Sequence, residues 1–145
     1  MRPTDRLEVL VLVDNATDSL STTPKFVVPE WPGLQAAGRL PTLSGERICR
    51  AHHGLSLLLT AHVENERHTL LFHAGPAGST LTQNAAILGV DFGEVEAIVL
   101  SHGHWDHGGG LLTAVEAVSK QRGAVPCVVH PGMFGQRGSQ RPDGV

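Results

Sequence analysis

Three histidines and an aspartate fall within six consecutive positions of "SHGHWDHGGG", residues 101 to 110. His102 and His104 alternate around Gly103. On an extended backbone, alternate side chains point to the same side, so both imidazoles can reach one ion. Asp106 and His107 are adjacent and can turn towards that ion or a neighbouring one. Imidazole and carboxylate are borderline ligands that suit zinc, iron or manganese, and with no thiolate nearby a purely structural zinc is disfavoured. A divalent ion with an open position lowers the pKa of bound water from ~15.7 towards ~7, which makes a nucleophile available at neutral pH. His102, His104, Asp106 and His107 are therefore the expected metal ligands, and Asp106 is also expected to orient the water. Two simpler readings compete: a polar turn that happens to be rich in histidine, and a patch that titrates near physiological pH.

The elements around the cluster must hold it in place. "VEAIVL", 95 to 100, reads as a buried strand ending at the cluster. Leu111 to Gln121, with apolar residues at Leu111, Leu112, Val115 and Val118 and a stop at Gly123, reads as the helix that follows. Rigid elements on either side of a glycine-punctuated loop are a common way to aim functional side chains. Upstream, Leu7 to Val13 predicts a strand buried on both faces. Gly54 to Val63 and Thr69 to Phe72, separated by "ENER", predict a β-hairpin. Ser79 to Leu88, with Ser79 or Thr80 as N-cap and Gly89 as stop, predicts a short amphipathic helix. Val125 to Val129 predicts a last strand leading into His130-Pro131-Gly132. Between the first two strands, residues 16–45 carry Pro24, Pro29, Pro32 and Pro41 and predict a long loop pinned by Phe26 and Trp31. Residues 135–145 read as a polar tail. This order implies an α/β layered fold with one mixed sheet.

The whole chain narrows the function classes. At 145 residues and 41% apolar content it is expected to form a single domain, 1–145. The net charge of -3, with the basic residues scattered, argues against a nucleic-acid partner and leaves a small-molecule substrate, phosphorylated or not. Apolar runs such as "LEVLVLV" are too short for a membrane span, and the N-terminus lacks a cleavage signal, so a cytoplasmic protein is expected. Cys49 and Cys127 share no metal-binding or disulfide spacing.

"VLSHGHWDHGGG" resembles the second motif of the metallo-β-lactamase fold hydrolases, in which the two histidines of H-x-H serve one metal and the Asp-His pair the other. "LVDN", "HGLSLLL", the "LLF" and "HAG" segments and "NAAILGVDFGEVEAIVLSHGHWDHGGGL" extend the resemblance towards the branch that includes dihydropterin ribofuranosyl-aminobenzene phosphate synthase-like proteins. The resemblance implies an αββα sandwich of which this chain is the N-terminal half, with helices on one face of its sheet. It also implies one or two divalent ions, most simply zinc. By that comparison the chain is C-terminally truncated: a further His, a bridging Asp and a last His come from beyond it. A homo-oligomer or a missing C-terminal half would then complete the site and cover the exposed sheet face, and a truncated homologue that binds metal weakly without catalysis is the alternative.

One departure lies within the matched region. His73 stands in "FHAG" where the family has the aspartate of "FDTG", a residue that supports the metal-binding loop. His73 is expected to take over part of that support by one hydrogen bond, and a ligand role is the lesser alternative. His53 matches the family's "EHGLS", whereas His52 replaces its acid. His53, His130, Asp14 and Asn15 complete the candidates for support or substrate contact, and Arg137 is a weaker candidate for a phosphate.

Overall fold

A computed structural model describes residues 3–135 and residue 138. Arg137 and most of the expected tail lie outside the described residues.

Five strands form one sheet in chain order: β1 (Arg6–Val13), β2 (Ser56–Val63), β3 (Glu66–Phe72), β4 (Val95–Leu100) and β5 (Cys127–Val129). The first two pairings are antiparallel and the last two parallel, so the sheet is mixed, as expected. The hairpin turns tightly at Glu64 and Asn65, with Glu64 in the left-handed region at φ 55°. Parallel neighbours need a crossover. Between β3 and β4 the crossover carries α2 (Gly78–Leu88), and between β4 and β5 it carries α4 (Leu111–Arg122).

Both helices pack on the same face of the sheet. Leu81 and Ala85 of α2, with Ala114 and Val118 of α4, close over Leu12, Leu71, Val95 and Ile98 in one apolar core. Two expectations about these elements change. Of the expected stripe of α4, Val118 is buried and is joined by Ala114, while Leu112 is 85% exposed. The N-cap of α2 is Ala77, a few residues before Ser79 and Thr80, and no side chain caps it. Gly89 does end α2 in the left-handed conformation, at φ 73°.

β1 is an edge strand, contrary to the expectation of burial on both faces. Leu7, Val9 and Val11 are 57%, 53% and 48% exposed, and only Leu12 and Val13 are buried. An unbroken apolar run does not by itself tell a central strand from an edge strand whose outer face is uncovered.

The proline-rich loop also contains more structure than expected. Glu30–Ala36 form a helix, α1, with Pro29 at its N-cap and Pro32 in its first turn, where a missing N–H costs nothing. Leu34 and Leu40 pin this segment to the body, whereas Phe26 is 88% exposed and Trp31 half-buried.

Candidate metal centre

The histidine cluster leaves the carboxyl end of β4 and winds directly into a short helix, α3 (Trp105–Gly108). His104 is its extended N-cap residue, with φ -71° and ψ 149°. Its carbonyl accepts from the amides of His107 (3.2 Å) and Gly108 (3.0 Å). The one-sided placement of His102 and His104 is realised: their rings meet edge to face with centroids 4.6 Å apart. The turn of α3 then brings His107 back to His102, at 4.4 Å.

Backbone contacts lock this loop to the turn after β3. The Ala74 amide donates to the His107 carbonyl (2.8 Å) and the Gly110 amide to the Gly75 carbonyl (3.1 Å). A side chain at Gly110 would strike the Ala74 carbonyl, so the glycine run after the cluster is what permits the close approach. A third segment closes in through Gly54, at φ 141°, where an added Cβ would meet the Asp106 carbonyl. The Leu55 amide donates to that same carbonyl at 3.3 Å.

The lock carries His73 into the cluster. His73 is 2% exposed, adopts φ 62°, and sits 4.5 Å from the His107 ring and 5.6 Å from that of His102. Its Nε2 lies 3.2 Å from the Ser101 hydroxyl, which is also 2.8 Å from His102 Nδ1. Burial, followed by the neighbouring His107 and His102, pushes the His73 imidazole down to about 4 against a pull upward from Asp106. It is therefore neutral at physiological pH.

Asp106 turns its carboxylate outward. Its Oδ2 is 3.3 Å from His107 Nε2 and 3.7 Å from His53 Nε2. The Asp106 side chain is 18% exposed and that of His53 68%, so His53 stands on the rim with its ring 5.8 Å from that of Trp105.

The other candidates lie apart from these contacts. Asp14 is exposed: its carbonyl accepts from the His52 amide, and its carboxylate accepts from the Asn15 amide. His52 Nδ1 meets the Thr80 hydroxyl at 2.8 Å. His130 is exposed and caps the final 3-10 turn by accepting from the Gly132 amide at 3.1 Å, an ordinary end-of-strand role.

Sequence reasoning missed two supporting residues. Ser101 bridges His73 and His102, and its place directly before the motif was the only signal for it. Asn84, 1% exposed on α2, donates to the carbonyls of Leu12 (2.7 Å) and Arg50 (3.0 Å) and accepts from the Arg50 amide (2.9 Å). That fixes the segment leading to His53. A polar residue on an otherwise apolar helix stripe was its signal.

The donor chemistry fits a divalent ion. Four imidazoles and a carboxylate gather at one strand end, and the buried Nδ1 atoms of His73 and His107 have no hydrogen-bond partner. Among the described residues, however, no three side chains of His, Cys, Asp or Glu present donors around a common point. The cluster thus offers donor pairs and not a closed cage.

A family model described as the metallo-beta-lactamase superfamily matches residues 50–132, more than half of the chain and all of this site. The chain belongs to the metallo-beta-lactamase superfamily. Within the superfamily it is similar to the 7,8-dihydropterin-6-methyl-4-(beta-D-ribofuranosyl)-aminobenzene-5'-phosphate synthase of Methanocaldococcus jannaschii, at 29% identity over 84 residues, covering 58% of this chain and 28% of that protein. An uncharacterized protein of the same organism is 41% identical over 66 residues, covering 46% and 24%. The chain spans about a quarter of the length of these curated relatives. Two solved metallo-beta-lactamase structures from Cronobacter sakazakii also align. The HARLDQ-motif mutant is 28% identical, with 50% and 26% of the two chains covered and a TM-score of 0.36. The HARLDQ-motif protein is 23% identical, with 50% and 24% covered and a TM-score of 0.35. Alignments of that depth add nothing to the family assignment. Metallo-beta-lactamase superfamily proteins generally bind divalent metals, in keeping with the donor set gathered at β4.

Proposed function

We propose that this chain carries the metal-binding loop of a metal-dependent hydrolase, or of a hydrolase-like transferase, acting on a small molecule. The observation that carries the reading is the packing of the His102, His104 and His107 rings, 4.4–4.6 Å apart at neighbouring centroids, at the end of a core strand in a superfamily member. His102 and His104 would hold one ion and Asp106 with His107 a second. Zinc is the first choice, with iron or manganese as the alternatives. An ion so held supplies Lewis acidity to a substrate oxygen or to water.

The chain's own groups do the rest. Asp106 Oδ2 accepts and holds a proton beside the site, facing His53 on the solvent side and His107 on the inner side. His53, exposed on the rim, passes protons between Asp106 and solvent. His73, which is buried, backs the cluster, with its ring 4.1 Å from that of Phe72. The name of the first relative, a synthase making a phosphorylated pterin compound, makes a phosphorylated substrate the leading candidate.

A second reading is favoured by the absence of three convergent donors among the described residues: a homologue that binds metal weakly, without turnover, until a second copy or further chain adds ligands. Metal analysis of protein purified without added metal, run beside phosphodiesterase and lactamase assays, separates the two. Stoichiometric metal with turnover that falls at least 100-fold in His102→Ala supports the hydrolase. Neither metal nor turnover supports the second reading.

A further inference from the structure

The residue that departs most from the family pattern is also the most deeply placed ring of the cluster. His73 is 2% exposed, yet its Nδ1 has no hydrogen-bond partner. The same holds for His107 Nδ1, on a ring 4.5 Å away and tilted by 56°. Buried polar atoms without partners are uncommon and call for an explanation such as an ion.

His73 Nε2 faces the Ser101 oxygen at 3.2 Å, and His102 Nδ1 faces the same oxygen at 2.8 Å. A hydroxyl oxygen has two lone pairs, so it can accept an N–H from both rings. In that arrangement His73 Nδ1 carries the bare lone pair. Metal-bound histidines almost always donate their other N–H in this way to an oxygen acceptor.

A buried lone pair with no proton donor, on a ring packed against those of His107 and His102, is open to a divalent ion. We infer that His73 is a metal ligand in this chain through its Nδ1, and that Ser101 sets its tautomer. This inference rests on the proposed metal reading of the site and adds a donor where the family has a supporting carboxylate.

His73→Asn is the apt variant, because asparagine tolerates the left-handed φ of 62° while removing the imidazole. Its fold is checked by circular dichroism beside wild type. Zinc is titrated calorimetrically into chelator-treated protein, cobalt(II) absorption reports the donor set, and 15N-resolved NMR of the imidazoles reports each tautomer. The expected results are a loss of zinc affinity of about tenfold or more in His73→Asn, an altered cobalt spectrum, and a zinc-induced shift of the His73 Nδ1 resonance. Ser101→Ala is expected to weaken zinc binding less and to change the His73 tautomer before metal is added. Unchanged affinity in His73→Asn with an unshifted Nδ1, while His102→Ala still loses zinc, overturns the inference and leaves the site reading standing. Wild type that takes up no zinc overturns both.

Discussion

At the scale of single residues, what could be read from the sequence was the chemistry of side chains close together in it. His102, His104, Asp106 and His107 were legible because ligand type and spacing coincide, and the structure brings the His102, His104 and His107 rings together. The entry of His73 into the cluster was not legible, because it depends on backbone pairing between Ala74 and His107, which are 33 positions apart. The same distinction applies to Cys49, whose surroundings come from distant chain. Burial first, then the Glu30 carboxylate, pushes its thiol up to about 12. The neutral thiol is thus favoured in the folded state, since the unfolded value is near 8.5. Stability linked to this group is present below that value and is lost as pH rises from there towards 12. At pH 8 the folded protein is expected to resist iodoacetamide at Cys49, with modification at the rate of a free thiol only in urea. Mass spectrometry of the peptide checks this, and rapid labelling of Cys49 in native protein would contradict it.

Among the elements, existence and type were legible wherever the period was strong. β4 occupies the expected residues 95–100, the hairpin forms, and Gly89 and Gly123 end their helices. The failures have physical causes. α1 was hidden by prolines, which suggest a loop but are well placed in a first helical turn. The burial of β1 was overestimated because edge position is a property of the sheet and not of the strand. How elements join was also beyond the sequence, and Asn84 is the clearest case: one α2 side chain holds the end of β1 and the segment before His53 through three hydrogen bonds. Asn84→Ala leaves buried backbone groups without partners and is expected to cost about 2–3 kcal/mol in urea unfolding. A loss within about 0.5 kcal/mol, the range of ordinary surface changes, would show that the network does not carry the junction.

The whole molecule is a sheet covered by helices on one face only. Leu7, Val9 and Val11 of β1 continue through their paired partners Ala61, Leu59 and Leu57, then Leu70 and Phe72, to Val128, which is 54% exposed. Layered folds bury both faces of such a sheet. The resemblance to half of a sandwich implies such an uncovered face. None of the described helices is long and apolar enough to cross a membrane. The metal loop lies at the end of β4, held by backbone bonds to the turn after β3 and to the Gly54 segment. A ligand bound there therefore couples to the stability of the entire sheet. Thermal unfolding of chelator-treated protein with and without zinc tests the central claim most directly. At zinc 100-fold above its Kd, native-state binding adds about 2.7 kcal/mol, which for a chain of this size raises Tm on the order of 5–10 °C. The account predicts that rise in wild type and its loss in His102→Ala; a Tm indifferent to zinc in wild type, or an equal rise in both proteins, would contradict it.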